Sequence, residues 1–455
     1  MSAATAKKSV PPFPKEKHWL FGSAYVLREN AHAVIPELIK KYGEIISLTL
    51  PFNRLVIAAK PEYAKYVLVD NNKNYRKSLA YDMLRLLLGN GLLTSEGEFW
   101  KKQRRLIQPA FHKQKLAELT AMMVRRATAE ADKYEKLSVS GEYFDIANDM
   151  TGLTLDIISE AIFSNGIGDK ADLIAGQITL LNQYATDKLN QPIRLPALFP
   201  TPANVKERKA VKILDEVIYS IIDQRRKEGV SKNDLLSMLL DARDAESGEA
   251  MDNAQLRDEV MTIFIAGNET TANAMAWTLY LLSQNPEAEE KMIREIDSKL
   301  NSGVELTFEN VMQFHYVRMV IDESMRLFPP AWVVGRRNNT DDEIDGYRII
   351  KGTNVLIPIM YFHRCEKYWD EPLKFKPERF APDKKVNIDR YVYFPFGGGP
   401  RLCIGNNFAI LEMQIILIQL YRRYKFKLQP SFEVVPEPLI TLRPKYGMRM
   451  RVEKK

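Results

Sequence analysis

Phe396-Gly397-Gly398-Gly399-Pro400-Arg401-Leu402-Cys403-Ile404-Gly405 is the stretch that decides how this chain folds. Glycine permits backbone conformations and close approaches that other residues forbid. Here four glycines surround a single cysteine just ahead of a helical pattern. A thiol in that place has two reasons to ionise: the positive end of the helix and the nearby Arg401. A thiolate fixed on a rigid turn suits the role of single axial ligand to a flat cofactor. Taken by itself, the stretch equally describes a glycine-rich turn with an incidental cysteine.

The rest of the chain narrows the choice. It has 455 residues, 45% hydrophobic and 27% charged, the composition of a globular protein with a large core. Cys365 and Cys403 are its two cysteines, so a disulfide scaffold and a multi-thiolate zinc site are excluded, and a reducing compartment is the natural setting. The five histidines are scattered and form no HExxH, and neither GxGxxG nor GxxxxGK[ST] occurs. The formal charge of +7 suits an acidic protein, a membrane surface or nucleic acid, and it equally describes a solvated, lysine-rich surface. The opening residues lack the apolar core of a signal peptide. The run Ile410 to Tyr421 is interrupted by Glu412, Gln414 and Gln419, and no run reaches the ~20 apolar residues of a membrane span. The expectation is a soluble, cytoplasmic protein with no membrane anchor and no nucleic-acid partner.

Outward from the glycine stretch the pattern is mainly helical. Helices are predicted over His32 to Tyr42, from Pro61, across most of Glu98 to Ala245, over Asn253 to Ser283, Pro286 to Leu300 and Val317 to Leu327, and after Gly405. Pro192, Pro196, Pro200 and Pro202 break the long helical region into two arms. Glu44 to Leu50 and Arg54 to Ala59 form a predicted hairpin about Pro51-Phe52-Asn53, and short strands surround Gly346 and Gly352. No repeat or linker marks a boundary. The prediction is one domain over 1–455, mainly α, with a minor β part near 40–60 and 330–360. Glu366 to Gly405 is too long and too rich in Pro, Gly and aromatics for an ordinary loop.

Two more groups stand out. Ala266-Gly267-Asn268-Glu269-Thr270-Thr271 lies inside the long predicted helix, where glycine costs about 1 kcal/mol relative to alanine. Gly267 would let a cofactor or substrate approach the backbone, and Glu269 beside Thr270 offers the acid and hydroxyl of a proton relay. The bland reading is a packing groove with a solvated Glu. Glu323 and Arg326 share a helix face, a common surface pair worth little when exposed.

Together these residues resemble the cytochrome P450 family. Phe396, Gly399, Arg401, Cys403 and Gly405 match its haem loop, FxxGxRxCxG. Ala266 to Thr271 matches AGx(D/E)T(T/S). Glu323 and Arg326 match ExxR, and Pro377-Glu378-Arg379-Phe380 matches PxRF. The motifs occur in the family's order over nearly the whole chain. The resemblance implies the cytochrome P450 fold, with haem b (iron protoporphyrin IX) between the long central helix and the cysteine loop, and Cys403 as the iron ligand. It implies propionate contacts from Trp100, Arg104, Arg336 and Arg401. It further implies that Thr270 hydrogen-bonds the oxygen being activated, that Glu269 helps to deliver protons, and that Glu323, Arg326 and Arg379 support the cysteine loop. His363 and Cys365 are expected to be structural.

The activity so implied is a bacterial-type monooxygenase without a fused reductase. Dioxygen, two electrons and two protons convert a C–H bond to C–OH and release water. The electrons would come from a separate ferredoxin or flavodoxin with its reductase, docking on a basic face that could include Lys101, Lys102, Arg105, Lys384 and Lys385. A merely solvated face fits those lysines as well. The substrate is expected to be a lipophilic small molecule such as a fatty acid or terpenoid. Walls would come from Tyr75 to Leu93, Leu180 to Phe199, Phe264 with Ala266, Ala331 to Val334 and Leu439 to Thr441. A peroxide-driven peroxygenase, a haem-thiolate isomerase or dehydratase, and a non-catalytic haem sensor are the alternatives. The Glu269–Thr270 pair disfavours the first two, which need no such relay.

Overall fold

The structure, a computed structural model, describes residues 9–14, 22–27, 30–50, 53–164, 173–174, 176–177, 180–181, 184, 199–229, 232–300 and 304–455. Pro51 and Phe52 of the expected turn, Pro192 and Pro196, and most of the expected wall from Leu180 to Phe199 lie outside these residues. The chain folds into two compact units. One comprises Met1–Met83, Ala331–Leu373 and Ile388–Cys403; the other comprises Leu84–Pro330, Lys374–Asn387 and Ile404–Lys455.

The first unit is built on a five-stranded sheet ordered Ile45–Leu50, Asn53–Ala58, Asn354–Ile357, Val334–Asn338, Tyr75–Lys77. The first two strands pair antiparallel, with Ile45 opposite Ala58 and Ile46 opposite Ile57. Asn53–Ala58 then pairs parallel with Asn354–Ile357. Alternation sends Ile45, Val56 and Ala58 into a core with Tyr63, Val67, Val355 and Phe362. The opposite residues Ile46 and Ile57 are also fully buried, so both faces of the sheet are covered. The helix Ala31–Tyr42 presents Ala31, Ile35 and Ile39, one face at four-residue spacing, to this interior.

The second unit is helical around Asn253–Gln284, a helix of 32 residues. Asp252 caps it by accepting from Gln255 N–H at 2.8 Å. It packs along Ile146–Phe163, and both are mostly buried. Asn406–Tyr421 is buried on nearly every side from Phe408 to Tyr421, which explains an apolar pattern without a clear polar face. Trp277 anchors the centre: its ring stacks on Phe328 with centroids 4.1 Å apart, and its Nε1–H donates to Leu442 O at 3.0 Å. The β content extends beyond the two stretches expected. Phe144–Asp145, Arg449–Lys454 and Tyr424–Leu428 form a three-stranded sheet, and Pro436–Pro438 pairs with Leu442–Pro444. Among the described residues no helix is long and apolar enough to cross a membrane.

Candidate active site

In the first unit the glycine stretch forms a tight loop held by its own backbone. Gly397 N–H donates to Phe394 O at 2.9 Å, Leu402 N–H to Gly399 O at 3.1 Å, and Cys403 N–H to Phe396 O at 3.0 Å. Gly397 and Gly399 sit at φ 74° and 69°, where side chains are disfavoured. A Cβ on Gly399 would also lie 2.0 Å from Leu68 O. Fully buried His363 accepts from Phe394 N–H through Nε2 at 3.1 Å and thereby fixes the entry to the loop. The loop ends with Cys403 exposed. Cys365 is half-buried, its thiol 3.6 Å from Tyr361 Oη, and belongs to packing.

Arg336 in the same unit is 7% exposed, yet its hydrogen bond is to Gly335 O at 3.0 Å and no carboxylate among the described residues pairs with it. A guanidinium buried without a counter-ion is costly. A bound carboxylate, such as a haem propionate, fits this cation and would offset that cost. Arg401, also of this unit, is half-buried in the turn Gly399–Arg401.

In the second unit the central helix carries the acid and hydroxyl. Phe264 and Asn268 are buried at 2% and 6%, but Ala266 between them is exposed. A bare methyl on a mostly buried helix is the surface a flat apolar group would cover. Thr270 Oγ–H donates to Ala266 O at 2.7 Å, which leaves its lone pairs to accept. Glu269 Oε1 accepts from the Thr441 hydroxyl at 2.6 Å. Gly267 has a packing role in addition to the expected opening to a cofactor. A Cβ there would lie 2.9 Å from Ile158 Cδ1, so the missing side chain lets Ile146–Phe163 pack close. Asn268 reinforces that seam by accepting from Thr154 Oγ–H at 2.8 Å.

Glu323, Arg326 and Arg379 do come together in this unit. Arg326 grips the Glu323 carboxylate with Nε at 2.7 Å and Nη2 at 2.8 Å, both side chains fully buried. Lys376 N–H adds a hydrogen bond at 2.8 Å, and Arg379 Nε stands 3.4 Å from Oε1. Burial pushes the Glu323 carboxyl up from its ordinary range, while Arg326 pulls it back. The exposed pair that spacing alone would suggest is thus a buried network. Trp100, 8% exposed, and Arg104 lie one turn apart on Gly97–Ile107.

Most of the expected docking cations are already paired. Lys101 bridges to Glu98 at 2.6 Å, Lys102 to Glu249, Arg105 to Asp244 and Glu246 at 3.1 and 2.9 Å, and Lys385 to Asp322 at 2.7 Å. Lys384 is exposed and has no such pair among the described residues. The contact that sequence reading missed is Thr441. It lies 172 residues from Glu269, and no local pattern joins the two.

Comparison with known proteins agrees with this geometry. A profile described as Cytochrome P450 matches residues 11–449. The chain is 32% identical to cyclooctat-9-en-7-ol 5-monooxygenase of Streptomyces melanosporofaciens over 94% of this chain and 93% of the other. It is 27% identical to pentalenene oxygenase of Streptomyces avermitilis over 91% of each. The crystal structure of the cytochrome P450DA heme domain superposes with a TM-score of 0.90 at 27% identity, over 98% of this chain and 97% of that one.

Proposed function

The chain belongs to the cytochrome P450 family and is a haem-dependent monooxygenase, and from that premise we propose that it hydroxylates a lipophilic small molecule, a terpenoid first among the candidates. Haem, when bound, supplies the activation of dioxygen. Cys403 Sγ would ligate the iron, with Phe396 and Gly405 completing the loop around it. Trp100, Arg104, Arg336 and Arg401 would hold the propionates. Ala266 and Gly267 would form the central-helix surface beside the ring. Glu323, Arg326 and Arg379 would keep the segment ahead of the cysteine loop in place. We further propose that the whole chain acts as one oxygenase domain.

The observation that carries this proposal is the exposed Ala266 on a mostly buried helix, within one turn of Glu269 and Thr270. There the protein's own task is to exclude water, hold Thr270 Oγ as a hydrogen-bonding group, and deliver protons through the Glu269 carboxyl. Per turnover, one substrate C–H, one dioxygen, two electrons and two protons become one C–OH and one water. The electrons would come from a separate ferredoxin or flavodoxin with its reductase, an acidic protein suited to the net charge of +7.

Two relatives are named for oxidising cyclooctat-9-en-7-ol and pentalenene, which supports terpenoids ahead of fatty acids. Titrating the ferric protein with both classes tests this. Cyclic terpenoids are expected to shift the haem from low to high spin and to yield alcohols with a ferredoxin system. A response to fatty acids alone would refute the terpenoid assignment.

A further inference from the structure

Thr441 is 5% exposed and stands between two residues of the central helix. Its Oγ1 lies 2.6 Å from Glu269 Oε1 and 3.0 Å from Asn273 Nδ2. An amide nitrogen can only donate, and a threonine hydroxyl has one proton to give. Asn273 therefore donates to Thr441, and Thr441 donates to Glu269. The chain of hydrogen bonds has one direction, and the Glu269 carboxylate is the acceptor at its end.

The Thr441 segment is itself held. Leu442 O accepts from Trp277 Nε1–H at 3.0 Å, and Leu442 N–H donates to Pro330 O at 2.9 Å. Glu269, Asn273 and Trp277 follow at four-residue spacing, so three successive turns of one helix face grip Thr441-Leu442. Glutamate has rotamer freedom that must be given up when its carboxylate is held in one place. A directed hydrogen bond from a rigid partner removes that freedom.

We propose that Thr441 is a positioning residue for oxygen activation: it fixes the Glu269 carboxylate beside Thr270, and Asn273 sets the direction of its hydroxyl. The proposal rests on Glu269 acting as a proton donor, as set out above. It departs from the expectation that Thr441 lines the substrate pocket, because the hydroxyl is buried against the helix.

The test uses the haem-loaded ferric enzyme and two variants that retain its spectrum, Thr441→Val and Thr441→Ser. The Glu269 carboxylate stretch is identified by infrared difference against Glu269→Gln. Thr441→Val is expected to shift that band and to lower product formed per electron pair about tenfold, the scale of one lost hydrogen bond to a charged group. KM for substrate should stay near its parent value, and Thr441→Ser should restore both band and coupling. An unmoved band in Thr441→Val, or a Thr441→Ser enzyme as impaired as Thr441→Val, would overturn the proposal. Full coupling in Glu269→Gln would remove the relay beneath it, even with the band shift intact, so the two failures are distinguishable.

Discussion

Thr270 has one proton and gives it to Ala266 O, so its value to the reaction lies in the oxygen it keeps free to accept. Thr270→Ala is expected to leave haem binding intact while electrons are consumed without hydroxylation, with coupling falling by about tenfold or more. Oxygen and electron consumption measured against product checks it, and unchanged coupling would contradict it. Gly399 is constrained by a single missing atom. Gly399→Ala would combine a Cβ 2.0 Å from Leu68 O with a φ of 69°, and the purified protein should fail to retain haem. At this scale the glycine stretch was legible because its chemistry is local: the backbone bonds from Gly397 to Phe394, Leu402 to Gly399 and Cys403 to Phe396 each close within seven residues. The Thr441 contact was not legible, because burial and distance across 172 positions leave no trace in spacing.

Helix pairs carry the next constraints. Gly267 lets the central helix meet Ile146–Phe163, so Gly267→Val should overpack the seam and cost about 1–3 kcal/mol. Ile158→Ala in the same chain should recover part of the loss, and chemical denaturation of the single and double variants measures the coupling. The Glu323–Arg326 pair is fully buried, so Arg326→Ala would strand a carboxylate and cost about 3–5 kcal/mol. The motif in the sequence identified the pair, but only the fold around Lys374 and Lys376 made it buried.

Helix Ile146–Phe163 also carries a pH dependence. Burial, reinforced by the negative charge of Glu130, raises the Asp149 carboxyl from 3.8 to about 6. Its folded value lies above its unfolded one, so it favours folding when protonated. That contribution is complete below about pH 4 and is lost as pH rises through about 6. Asp149→Asn should therefore melt higher than the parent at pH 7 and alike at pH 4. Equal melting temperatures at both would contradict this account.

At the scale of the whole chain, the helices were readable from periodicity and proline positions. Asn253–Gln284 and Ile45–Leu50 lie within one residue of expectation at each end. The small sheet that joins Phe144–Asp145 to Arg449–Lys454 was not, because two-residue strands paired across some 300 positions have no pattern of their own. The basic balance was readable as a number but not as a surface, since Lys102 and Arg105 face carboxylates of the 244–249 turn. At the centre of the proposed function, Cys403 would ligate the haem iron. The most direct test is the absorption of the dithionite-reduced, carbon-monoxide-treated protein, compared with Cys403→Ser. The parent protein is expected to show a thiolate-type spectrum that the serine variant loses; the same spectrum persisting in Cys403→Ser would rule out Cys403 as the iron ligand.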